Sequence, residues 1–211
     1  MDPHLLATYL LAITVLTVTP GLDTLLVIRN TARGGLRDGA VSSLGICSGL
    51  FVHGAVSAVG ISVILLQTAW AFSCLKLAGA CYLVWLGASN WRDVLRRRSA
   101  LAGSIEAARA GEFKALRSLK EGFLSNVLNP KTAVFYLAFL PQFIDPSRSA
   151  LAQSLLLAGM HFAIAMLWQC LLALMVRQAR QWLLRPAANR MFGALTGSVL
   201  IFLGLRLAAA R

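Results

Sequence analysis

Residues 150–176 read ALAQSLLLAGMHFAIAMLWQCLLALMV, 27 consecutive positions without an Asp, Glu, Lys or Arg. Wound as a helix at about 1.5 Å per residue, such a run is longer than the ~30 Å hydrocarbon core of a bilayer is thick. It is apolar on every side, whereas a helix on the core of a small soluble domain shows a polar face. The run therefore reads as a membrane span with His161 inside it.

Similar blocks lie on either side. They run from about Leu5 to Ile28, Ala40 to Leu66, Ala69 to Asn90 and Phe123 to Ile144, with a last, shorter core from Met191 to Leu205. The whole chain of 211 residues is 58% hydrophobic and 13% charged, against about a quarter charged in soluble domains. The reading is an all-α integral membrane protein with six transmembrane helices, forming one transmembrane domain over 1–211. The N-terminus carries Asp2, no basic stretch and no small-x-small cleavage signal, so the first block is expected to be retained as a span.

The net charge of +12 does not indicate nucleic acid, because the basic residues sit between the apolar blocks. Arg29, Arg33 and Arg37 follow the first span. Arg92, Arg96, Arg97, Arg98, Arg109, Lys114, Arg117 and Lys120 fill the central connection, and Arg177, Arg180, Arg185 and Arg190 follow the fifth span. The other side holds Arg148, Arg206 and Arg211. Positive residues mark cytoplasmic loops, which places both termini outside. The central connection, 91–122, divides into an Ala-, Gly- and Ser-rich linker and a segment with Phe113, Leu116, Leu119 and Phe123 at helical spacing. That segment reads either as a helix on the inner leaflet or as a plain basic connector.

Two halves, about 1–90 and 120–211, share a layout of three spans each. Ala80 to Gly87 aligns without gaps on Gly197 to Gly204, and the first span of each half carries a proline beside a charge. Three spans per half make the repeat inverted.

Asp23 and Lys131 lie within these proline-broken spans. A charge at mid-bilayer costs about 2.5–3.5 kcal/mol, so each is expected to face the bundle interior, a partner, water or solute. Proline lacks the N–H that would bond the carbonyl four residues earlier, so Pro20 frees the Leu16 carbonyl and Pro130 that of Asn126. Unwound backbone at that depth is tolerated beside a wet cavity, and the helix beginning after each break offers N–H groups to an anion. A zwitterion needs an acceptor for its ammonium and donors for its carboxylate. Asp23, Lys131, Asn126, Asn129, Pro20, Gly21 and Pro130 are the expected binding set; a structural ion pair and ordinary kinks are the plainer alternatives. His53 and Lys76 are candidates for coupling or gating, and His161 is a packed histidine or a proton relay. Gly45 and Gly49 suit close helix packing within the chain or a homodimer face. Cys47, Cys74, Cys81 and Cys170 lack metal spacing, no phosphate loop is present, and no metal or cofactor is expected.

Thr19-Pro20-Gly21-Leu22-Asp23, Arg33 to Gly39, Leu44-Gly45 through Gly60, Leu75-Lys76 through Gly87, Asn126 to Lys131 and Phe139 to Phe143 together resemble the lysine exporter and homoserine/threonine resistance (LysE/RhtB) family. The resemblance implies a multi-pass bacterial inner-membrane exporter of amino acids or their derivatives, driven by protons, and no enzyme. Leu22 stands where the family usually has a second proline. Two other readings are a membrane thiol–disulfide carrier and a non-transporting subunit.

Overall fold

The computed structural model describes residues 3–67, 69–96 and 113–183, and ten helical positions between 191 and 209. The elements are α1 (Pro3–Val18), α2 (Leu22–Gln67), α3 (Ala69–Leu95), α4 (Ala115–Val127), α5 (Pro130–Ala138), a 3₁₀ turn (Leu140–Phe143) and α6 (Ala150–Leu183). Among the described residues there is no strand. Two helical stretches, Leu22–Gly60 and Ala150–Val176, are long and apolar enough to cross a membrane, and His4–Val18 and Leu77–Ser89 are shorter apolar helices. The Ser99–Gly111 linker lies outside the described residues, as does much of the last block.

α2 is two helical arms, 22–33 and 36–67. Gly34 (φ −123°, ψ 16°) and Gly35 (φ 76°, ψ −167°) break the helical path between them. A positive φ suits glycine, which has no Cβ to clash. The arms meet again through Asn30 Nδ2, which donates to Ser42 Oγ at 2.7 Å. The sequence's first two spans are thus a hairpin, with its tip in the basic segment that was expected to face the cytoplasm.

One apolar cluster joins Tyr9, Ile13 and Leu16 of α1 to Cys47 and Leu50 of α2, Phe135 and Tyr136 of α5 and Leu157 of α6. A second joins Val27, Ile28 and Ile46 to Leu172, Ala173 and Val176. Large apolar side chains also cover the outside: Val59 is 64% exposed, Leu128 74% and Leu167 65%. That surface suits acyl chains rather than water.

The segment before the expected fourth span is helical, as one of the two sequence readings has it: α4 starts at Ala115, eight residues before that span, and packs against the other helices. Its buried residues are Ser118, Gly122 and Asn126, a small-side-chain stripe at four-residue spacing. A Cβ on Gly122 would strike the Ser42 carbonyl, and one on Gly45 the Leu119 carbonyl. The two backbones touch there, and Gly49 packs on the Asn126 side chain. The Gly45–Gly49 face is therefore occupied by α4 and is not free for a second copy. Replacing Gly122 by Val should prevent this crossing. The expected result is a loss of monodisperse protein after detergent extraction, with insertion itself retained.

α3 meets the last block through two glycine contacts. A Cβ on Gly87 would lie 2.6 Å from the Gly197 carbonyl oxygen, and one on Gly204 would lie 2.8 Å from that of Ala80. These are the ends of the two aligned octapeptides, paired crosswise. Cys74 and Cys81 are exposed on α3.

Candidate functional site

The two broken helices face each other. α1 ends at Val18, Thr19 to Gly21 are not helical, and α2 begins at Leu22 with Asp23 in its first turn. In the other half α4 ends at Val127, Leu128 and Asn129 form the break, and α5 begins at Pro130. Proline fits a first helical position, where its missing N–H would have no helical partner. Asn129 is the N-cap: its Oδ1 accepts from Lys131 N at 3.0 Å.

Each break holds the other's charge. Asp23 Oδ1 accepts from Ser125 Oγ at 2.9 Å, and Oδ2 accepts from Asn126 Nδ2 at 2.9 Å and Asn129 Nδ2 at 3.0 Å. Lys131 Nζ donates to the Thr19 carbonyl at 2.8 Å. Asp23 and Lys131 form no direct ion pair among the described residues. The carboxylate thus stabilises the α4–α5 break and the ammonium the α1–α2 break, a reciprocal clasp. A carboxylate has about four acceptor sites and an ammonium three donors, so each keeps capacity for something else.

Between them lies a cavity of about 40 Å³, whose lining includes Gly21, Asp23, Asn126, Asn129, Lys131 and His161. It has room for about three waters, less than an amino acid needs. The clasp is closed in this conformation.

The expected set is therefore brought together, with Pro20 and Pro130 acting through the backbone beside it. His53 is not in the lining. Its Nε2 lies 2.9 Å from the Asn126 carbonyl, the group that Pro130 releases, which also accepts from Asn129 N at 2.9 Å. A carbonyl only accepts, so His53 Nε2 donates and closes the break from behind. The Lys76 side chain lies outside the described residues. Sequence reasoning missed Ser125, the Thr19 carbonyl and the polar lining residues Thr17, Thr132 and Gln169. No local pattern marks Ser125, Thr17 or the Thr19 carbonyl, since their partners are more than a hundred residues away.

A second polar cluster lies at the hairpin tip. Arg33 grips Asp38 with two bonds, Nε to Oδ2 at 2.9 Å and Nη2 to Oδ1 at 3.0 Å, and Asp38 is fully buried. Glu121 on α4 accepts from Arg29 at 2.8 Å, Arg33 at 3.1 Å, Arg117 at 2.8 Å and Asn30 at 3.0 Å. Burial raises the Glu121 carboxyl, but the Arg117 and Asn30 bonds and the Arg33 and Arg29 charges outweigh it and hold it below the ordinary glutamate value. Asp38 draws the Arg33 guanidinium upward, chiefly through its hydrogen bond.

A group lowered on folding stabilises above its unfolded pKa and loses that contribution as pH falls through its folded one. Thermal stability in detergent should therefore decline as pH drops below about 4.3, the ordinary glutamate value. Glu121→Gln should lower stability by about 1–2 kcal/mol at neutral pH and flatten that acid limb. Melts followed by tryptophan fluorescence across pH check both.

The profile of the LysE type translocator family matches residues 14–211. The chain is 32% identical to an uncharacterized membrane protein of Vibrio cholerae serotype O1 over 211 residues, covering 100% of both. It is 31% identical to a homoserine/homoserine lactone efflux protein of Salmonella typhi over 204 residues, 96% of this chain and 95% of that one. It is 29% identical to a leucine efflux protein of an Enterobacter species over 151 residues, 71% of this chain and 68% of that one. No solved structure matches.

Proposed function

This chain belongs to the LysE type translocator family, and from that membership and the geometry of the clasp we propose that it exports small amino acids or their derivatives across the bacterial inner membrane. It works as a proton-coupled carrier by alternating access, not as an enzyme. Six spans, with both termini outside and two inverted halves, carry the cycle. The crosswise pairing of Gly87 with Gly197 and Ala80 with Gly204 supports the inverted repeat, because a two-fold relation makes each contact occur twice.

The observation that carries the reading is the reciprocal clasp around a small cavity whose lining holds both charges. The remaining acceptor site on Asp23 suits a substrate ammonium, and the remaining donors of Lys131 suit its carboxylate. For solute to enter, one half of the clasp must open, and the zwitterion replaces the contacts that opening breaks. The efflux relatives, one named for homoserine and its lactone and one for leucine, support a zwitterionic or amine-bearing substrate of modest size.

The test is counterflow in liposomes containing the purified protein, with labelled homoserine, threonine, leucine and lysine, each measured with and without a pH gradient. Exchange of at least one amino acid, enhanced by the gradient, is the expected result. No exchange of any of them by protein that is folded and inserted would sink the reading.

A further inference from the structure

His161 sits on α6 about 16 Å, eleven residues, beyond the start of that helix, and it is 4% exposed. It contributes to the cavity lining together with Asp23 and Lys131. Both its ring nitrogens are engaged: Nε2 lies 3.0 Å from Thr17 Oγ1 of α1, and Nδ1 lies 3.0 Å from the Tyr136 hydroxyl of α5. The Tyr136 ring stacks on it at 5.8 Å, with an interplanar angle of 15°.

Both partners are hydroxyls, and a hydroxyl can turn from donor to acceptor. A neutral imidazole with one N–H is satisfied by one hydroxyl accepting and the other donating. An imidazolium with two N–H groups is satisfied by both accepting. His161 can therefore gain or lose a proton without breaking either hydrogen bond. His53 is held differently, since its Nε2 faces a carbonyl and keeps its hydrogen in either charge state.

We propose that His161 carries the coupled proton, and that proton and substrate ammonium exclude one another from the cavity. The inference rests on the exporter reading above and names the residue that couples it. The charged or titratable groups around His161 are Lys131 and Tyr136 on α5, Asp23 and His53 on α2, and, through its bond to Tyr136, Tyr9 on α1. With His161 neutral, Asp23 and Lys131 sum to zero and the cavity accepts a zwitterion. A proton taken from the outer side onto the imidazole adds a positive charge that repels the ammonium and favours release outward. Loss of that proton to the cytoplasmic side restores the binding form. One proton enters and leaves the imidazole in each cycle, and solute moves the other way.

The experiment uses the full chain in liposomes with labelled threonine and homoserine. Counterflow at equal pH and accumulation driven by a pH gradient are measured side by side. For His161→Gln, the ratio of gradient-driven accumulation to counterflow at equal pH is expected to fall at least ~10-fold, whatever the counterflow rate itself becomes. His53→Gln should keep the wild-type ratio of the two rates. His161→Gln accumulating solute like wild type would overturn the assignment. Should His161→Gln not insert, the double variant Thr17→Val/Tyr136→Phe, which leaves the ring but removes both partners, decides it: unchanged accumulation overturns the assignment, and selective loss supports it. Wild-type counterflow that ignores the pH gradient is a different failure, that of proton coupling itself, and needs no variant to detect.

Discussion

Asp23→Asn is expected to abolish export, lowering counterflow at least ~100-fold, while the protein still reaches the membrane. The carboxylate takes three hydrogen bonds, from Ser125, Asn126 and Asn129. Asparagine can keep the Asn126 and Asn129 bonds on its one oxygen and donate to the Ser125 hydroxyl, which turns to accept. What the variant removes is the charge, and with it the capacity to take a substrate ammonium. Hydrogen bonds to a charged group are worth about 1.5–3 kcal/mol each against about 0.5–1.5 for neutral ones, so all three weaken together. The variant also leaves Lys131 without its balancing charge in the cavity. The loss should appear as a lower thermal midpoint as well as lost transport. Wild-type counterflow in well-inserted Asp23→Asn would remove the carboxylate from the mechanism.

Lys131→Ala should be as damaging, for the opposite reason. It deletes the donor to the Thr19 carbonyl and leaves the Asp23 carboxylate in the cavity without a cation to balance it, which disfavours the closed clasp. Lys131→Arg should not rescue it. A point-like ammonium reaches one carbonyl beside Gly21, where a Cβ would already lie 3.5 Å from Nζ, and a planar guanidinium has a different shape and hydrogen-bond fork. Counterflow of Lys131→Arg below about a tenth of wild type is the expected reading. Full activity in Lys131→Arg would show that charge alone suffices, without the clasp geometry.

Bilayer dimensions made the helical architecture legible: long uncharged blocks separated by arginine-rich gaps have few other physical readings. The breaks were legible too, because Pro20 and Pro130 delete specific N–H groups and Asp23 and Lys131 are costly where they stand. Their partners were not. Asp23 and Lys131 suggest a pair by sign, yet each is bound by the opposite break, and a backbone carbonyl such as that of Thr19 leaves no mark in a sequence. The packing of α4 was less legible for a related reason. Lys114, Arg117 and Lys120 suggested a leaflet surface, while the Ser118, Gly122 and Asn126 stripe, which decides where the helix packs, was present and unread. The arginines were read as topology alone, although Arg29 and Arg33, more than eighty residues away in the chain, converge with the neighbouring Arg117 on Glu121.

Asn129 has one amide and uses both ends of it, Oδ1 on the Lys131 amide and Nδ2 on the Asp23 carboxylate. Drawing α5 away from Asp23 therefore disturbs the start of that helix in the same movement. The Lys131 peptide N–H becomes a natural reporter of occupancy, exchanging slowly with deuterated solvent while the halves are joined and quickly once they part. Saturating solute, which takes the place of the contacts between the halves, should quicken that exchange, giving an equilibrium measure of opening that needs no flux.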